Sequence, residues 1–134
     1  LFKKTKKKVK FIQDDVSISK KNVLRGIHGD YKTWKLITCL EGEFILLVIN
    51  NKKNDKEFKK SEFFNLSDKN DIQILVPPGF GNAHYIISKK AIFHYKQSTL
   101  YERKNQFTIK WNSKDHNLKW PIKKKPITSK RDHS

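Results

Sequence analysis

Cysteine is nearly missing from these 134 residues: Cys39 stands alone. One thiol cannot form an internal disulfide, and its place inside the apolar run 36–40 makes a buried, reduced side chain the expectation, which suits a cytoplasmic setting. Long hydrophobic runs are missing too. The longest, 44–49, is far shorter than the ~20 residues of a bilayer-spanning helix. The basic N-terminus is not followed by the apolar stretch of a signal peptide, so neither a membrane nor an export segment is expected. Arginine supplies three of the thirty basic residues and lysine the other twenty-seven. Base readout and bidentate phosphate contacts favour arginine. Lysine, asparagine, isoleucine and phenylalanine are abundant together, as a compositionally biased genome would make them. The net charge of +17 therefore argues less for nucleic acid than for attraction of anionic small molecules.

Helical periodicity is absent as well, since no segment holds a 3.6-residue apolar period over three turns. What is there is a series of short strands at roughly 8 to 12 residue spacing. Residues 1–10 form a lysine-rich lead-in, with a strand expected at 9–12 that Gln13-Asp14-Asp15 breaks. Residues 16–19 alternate polar and apolar before a turn at Lys20-Lys21-Asn22. The segments 34–40 and 44–50, joined by Glu41-Gly42-Glu43, read as a hairpin. Further strands are expected at 57–66, at 72–76 before Pro77-Pro78-Gly79, at 84–87, at 91–96 and at 107–111. Beyond Trp120-Pro121 the tail is basic and interrupted by proline. The length allows one ordinary core and hardly two. The expectation is a single all-β domain over 1–134, a small antiparallel barrel or jelly roll whose mouth and interior would hold a ligand.

The candidate chemistry centres on Val23-Leu24-Arg25-Gly26-Ile27-His28 and the nearby Trp34-Lys35-Leu36, where Arg, Gly, His and Lys interrupt a strand-like apolar pattern. Strand alternation groups Lys35 with Ile37 and Cys39 on one face. Such a lysine either sits at the barrel mouth with its amine in water or is aimed at an anionic ligand atom. His28 fits a hydrogen-bonded structural histidine as well as a base, and Tyr95 fits a core ring whose hydroxyl reaches a partner. Among His28, His84, His94, His116 and His133 none forms a His-x-His pair with a following Glu, so no metal site is expected. No nucleophile elbow is present, and Cys39 lies in an apolar strand.

The run Asn22-Val23-Leu24-Arg25-Gly26-Ile27-His28, followed by Lys35-Leu36, Gly42-Glu43, Pro77-Pro78-Gly79-Phe80, Ala83-His84, Phe93-His94-Tyr95-Lys96, Trp111, Trp120-Pro121 and Ser129-Lys130-Arg131-Asp132, resembles the dTDP-4-dehydrorhamnose 3,5-epimerase family. The matches are collinear over nearly the whole chain. The resemblance implies a cupin-like jelly roll, a homodimer, no metal or cofactor, and inversion of C3 and/or C5 in a nucleotide-linked 4-keto sugar for surface polysaccharides such as capsule or lipopolysaccharide. It implies His28 as general base with Asp132 as its partner, Lys35 beside the sugar's C4 oxygen, Tyr95 as acid on the opposite face, His84 in the pocket lining, and Arg25 at the diphosphate or sugar. These residue types suit the chemistry. A 4-keto group acidifies the hydrogens at C3 and C5, and inversion needs a base, a donor on the other face and a cation beside the developing enolate.

The chain departs from the family pattern in two places. Gly29-Asp30 follows His28 where an aromatic and a Gln are usual, and Gly81-Asn82 precedes Ala83-His84. With Lys32-Thr33 and Lys35-Leu36, these residues look more like a subgroup acting on GDP-linked 4-keto-heptoses. That similarity adds Asp30 and Asn82 to the expected substrate contacts and leaves dTDP and GDP both open. By the same resemblance the chain lacks part of the family's N-terminal segment. Two other classes stand beside this reading: a non-catalytic sugar-binding cupin module, and a basic nucleic-acid binder.

Overall fold

The computed structural model of the chain describes residues 8–133, without the side chains of residues 131 and 133; most of the lysine-rich lead-in lies outside the described residues. The strands run β1 (Gln13–Lys20), β2 (Leu24–Gly29), β3 (Lys35–Glu41), β4 (Glu43–Asn50), β5 (Ser61–Ser67), β6 (Gln73–Val76), β7 (Phe80–Ile86), β8 (Lys90–Gln97) and β9 (Phe107–Thr108), and a short helix α1 (Lys130–His133) follows. They form two antiparallel sheets, one ordered β1-β8-β3-β6 and the other β5-β4-β7-β2-β9.

The main core lies between the sheets. Strand alternation sends Phe44, Leu46 and Val48 inward from β4 to meet Ile37 and Cys39 of β3, Ile74 and Val76 of β6, and Phe93 of β8. The other face of the second sheet is covered too. Leu47, Ile49, Ala83 and Ile27 pack under Ile109, with Phe63, Phe107, Leu118 and Trp120 around them. A second, smaller core thus exists where length alone allowed hardly more than one. The segment after β9 makes it, and β4 reads as a continuous apolar run because both its faces are buried.

Strand β1 reverses the usual polarity. Gln13, Asp15, Ser17 and Ser19 lie opposite Gln97, Tyr95, Phe93 and Ala91 of β8 and share their inward face. Outward-facing Val16 and Ile18 are 58% and 62% exposed. The expected strand at 9–12 is not formed, and Gln13-Asp14-Asp15 opens β1 instead of breaking a strand. Gln13 and Asp15, which read as strand-breaking, face inward from this edge strand, while Asp14 faces outward and pairs with Lys96 at 2.9 Å. Elsewhere β7 begins at Phe80, so Pro77-Pro78-Gly79 is a tight connection with Gly79 at φ +85. The strand expected at 57–66 starts at Ser61, and the one expected at 107–111 ends at Thr108.

Candidate active site

The local device that builds the site is a bulge in β2. Arg25 is opposite His84 and His28 is opposite Asn82, so three residues of β2 span what two span on β7. That extra residue brings Arg25 and His28 to the same face although they are three apart. Gly26 makes the bulge possible. Its φ is +113, and a Cβ there would stand 2.6 Å from the Asn82 carbonyl oxygen and 2.7 Å from the Ala83 Cβ.

The C-terminal tail completes the site. Residue 127 bridges in parallel to Val23, with Leu24 N–H donating to the Ile127 carbonyl at 2.9 Å and Ile127 N–H donating to the Asn22 carbonyl at 2.9 Å. Anchored there, the tail returns Asp132 to within 2.7 Å of His28, Oδ1 to Nε2. Its other oxygen accepts from Ser129 Oγ at 3.1 Å and from Gly26 N–H at 3.3 Å. Asp132 is only 3% exposed. Burial works to raise its pKa, but the hydrogen bond and charge of His28 and the bonds from Gly26 and Ser129 outweigh it and hold the carboxyl below its ordinary value. An ionised partner at Nε2 fixes that nitrogen as the protonated one and leaves Nδ1 as the basic position.

The dyad lines a cavity of about 360 Å³ between the sheets. Arg25, His28, Asn82 and His84 come from the second sheet, and Lys35, Tyr95, Phe93 and Asp15 from the first. The Lys35 ammonium lies 5.6 Å from the centre of the Tyr95 ring. Burial, followed by the negative charge of Asp15 and a hydrogen bond with it, raises the Tyr95 pKa and keeps the phenol protonated. Arg25 donates from Nε to Ser19 Oγ at 2.9 Å. His84 is stacked on Phe93 with ring centres 3.9 Å apart. Burial first, then the charges of Arg25 and His28, push its pKa down to about 3, so the ring is neutral. Its Nε2 and the Oδ1 of Asn82 are buried without a hydrogen-bond partner among the described residues. Orphaned polar atoms in a cavity wall are costly unless they serve a ligand.

Seven of the eight residues named from the sequence therefore meet in one cavity, and Asp30 does not. Asp30 lines a separate pocket with Tyr31, Thr33 and Thr99, and its carboxylate is occupied. It accepts from the N–H groups of Lys32 (2.9 Å) and Thr33 (2.7 Å), from Thr33 Oγ1 (2.7 Å) and from Gln106 Nε2 (3.0 Å). It acts on the cavity through its bond with Gln106, which does line it, and through its charge, which interacts with Lys35. Sequence reading missed Asp15, Ser17, Tyr101 and Gln106. The alternation of Gln13, Asp15, Ser17 and Ser19 was the available signal for the first two, and no local pattern marks the others. Among the described residues no cluster of three or more His, Cys, Asp or Glu is placed to hold a metal ion, and no helix is long and apolar enough to cross a membrane.

The family model described as dTDP-4-dehydrorhamnose 3,5-epimerase matches residues 1–134. This chain belongs to the dTDP-4-dehydrorhamnose 3,5-epimerase family. It is 35% identical over 129 residues to the Shigella flexneri enzyme of that name, covering 94% of this chain and 71% of the relative. The Salmonella typhimurium LT2 enzyme is also 35% identical, over 94% of this chain and 70% of its own length. Among solved structures, the epimerase from Elizabethkingia anophelis superposes with a TM-score of 0.89 at 32% identity, covering 93% of this chain and 71% of that one. The dTDP-6-deoxy-D-glucose-3,5-epimerase from Legionella pneumophila, solved with dTDP-4-keto-L-rhamnose, gives 0.89 at 29% identity, covering 93% and 68%. The two-sheet architecture is the cupin-like jelly roll of these epimerases, and the family is one of isomerases.

Proposed function

We propose that the chain inverts C3, C5 or both in a nucleotide-linked 4-keto sugar, working as a single domain over 1–134. The observation that carries this reading is the His28 and Asp132 pair at 2.7 Å on one wall of a cavity whose other wall presents Tyr95 and Lys35. His28 removes the hydrogen next to the ketone. Asp132 stabilises the imidazolium this creates and holds the ring in the tautomer that can accept. Negative charge moves onto the C4 oxygen, where the Lys35 ammonium stabilises the enolate. The phenol of Tyr95 then protonates the carbon from the opposite face. All the steps are proton transfers.

Arg25, together with the orphaned Asn82 Oδ1 and His84 Nε2, supplies the polar contacts for the nucleotide sugar. The names of the relatives support dTDP as the nucleotide, while Gly29-Asp30 and Gly81-Asn82 make a GDP-linked 4-keto-heptose the second substrate to assay. The working assembly in this reading is a homodimer, supported by the exposed apolar stripe of Val16 and Ile18 on the outer face of β1.

The test is incubation with dTDP- and GDP-linked 4-keto sugars in heavy water, following exchange and inversion at C3 and C5. Wild type should wash in deuterium and invert. His28→Asn should lose both by at least the roughly 100-fold typical of a positioned base, with unchanged circular dichroism. Binding without exchange in the wild type would make the chain a sugar-binding module, and salt-sensitive association with DNA or RNA alone would make it a nucleic-acid binder.

A further inference from the structure

Strand β1 contributes more to the cavity than a wall. Asp15 is paired with Tyr95 across the β1 and β8 ladder, so both side chains lie on the inward face, side by side. Its carboxylate lines the same cavity as the phenol, near enough for its charge to oppose ionisation of Tyr95. It is itself held in place. Gln13 Nε2 donates to Asp15 Oδ2 at 2.9 Å, and the same amide's Oε1 accepts from the Tyr101 N–H at 2.9 Å. One amide thus ties Asp15 to the loop that carries Tyr101, another lining residue. A carboxylate in a built bond network on an inward face, where an apolar residue would otherwise pack, calls for a reason.

We infer that Asp15 is the positioning residue for the acid half of the reaction: it fixes the phenol's orientation and makes Tyr95 return to the protonated state after each turnover. The inference rests on the epimerase reading. When Tyr95 protonates the enolate carbon, its O–H bond breaks, a C–H bond forms and the enolate electron pair restores the C4 ketone. A phenolate is left next to the Asp15 carboxylate. Two like charges side by side raise the energy of that state, so the phenolate promptly takes a proton from solvent, balanced by the proton that the His28 imidazolium gives back to solvent, and both groups return to their starting forms. The other groups facing the phenol act differently. Lys35 of β3 favours the phenolate by its charge, and Tyr101 of the following loop weakly opposes it. Asp15 offsets the lysine, so a single ammonium can stabilise the substrate's enolate without also stripping the proton from the acid.

The test has two arms. In the first, ultraviolet titration of the substrate-free protein, with Tyr95→Phe subtracted, isolates Tyr95. Wild type should show no tyrosinate from this residue at pH 11, where an ordinary phenol of pKa about 10 is roughly 90% ionised. In Asp15→Asn, which keeps the burial but removes the charge, the band should emerge at lower pH than in wild type. In the second arm, Asp15→Ala should lower inversion at least tenfold relative to deuterium wash-in on the His28 face, and Asp15→Asn, which keeps an acceptor for the phenol, should recover part of it at neutral pH. Identical Tyr95 titrations in wild type and Asp15→Asn, or an unchanged ratio of exchange to inversion in Asp15→Ala, would overturn the inference. Failure of wild type to exchange any 4-keto sugar would instead overturn the epimerase reading, and the titration would still decide whether Asp15 governs the phenol.

Discussion

At the scale of single residues, the site separates two histidines by environment. His28 has a buried carboxylate on one nitrogen, whereas His84 lies in an apolar box with Phe44 and Phe93 and is held neutral. One is equipped to gain a proton and the other to offer a neutral polar atom. Asp132 is the difference, and it also links the site to stability. Its folded-state pKa is below the ordinary carboxyl value. The group therefore stabilises the fold at pH above the unfolded carboxyl pKa, and this contribution is lost as pH falls through the folded value. Asp132→Asn should flatten the fall in melting temperature between about pH 5 and about pH 3, measured by calorimetry. It should also slow exchange by at least about 100-fold, because the imidazole loses its tautomer control. A variant with wild-type exchange would leave Asp132 with a packing role only.

At the scale of elements, β1 and β2 explain what could and could not be read from sequence. The hairpin of β3 and β4 was legible because its apolar alternation agrees with burial. The dyad was legible because Arg25, His28 and Asp132 fall within a recognisable collinear pattern. Gln13-Asp14-Asp15 reads as a strand break, yet it opens β1, with Gln13 and Asp15 facing inward and Asp14, its side chain 56% exposed, facing out. The bulge at Gly26 also defeats simple alternation, which puts Arg25 and His28 on opposite faces. Reversed polarity makes a further claim testable. If the outward stripe of Val16 and Ile18 is covered by a second copy, Val16→Lys with Ile18→Lys should convert a dimer to a monomer in sedimentation velocity. The fold itself should change little, since both side chains are already exposed. A wild-type monomer, or a double variant that stays dimeric, would remove the stripe from the interface.

At the scale of the whole molecule, the net charge of +17 acts at long range and the cavity at short range. A nucleotide sugar carries its negative charge on the diphosphate, so raising the salt from about 0.05 M to about 0.5 M should lower kcat/KM severalfold while kcat changes little. Stopped-flow binding against ionic strength would measure this directly, and a flat response would make the lysines compositional and nothing more. The chain's path through the fold has a consequence of its own. Asp132 lies 104 positions along the chain from His28, beyond every strand of both sheets. A ribosome making this protein joins every described strand, with His28, Lys35 and Tyr95, before it reaches Asp132. The His28 and Asp132 pair is thus the last part of the cavity wall to be made, and the pairing of the strands does not wait for it.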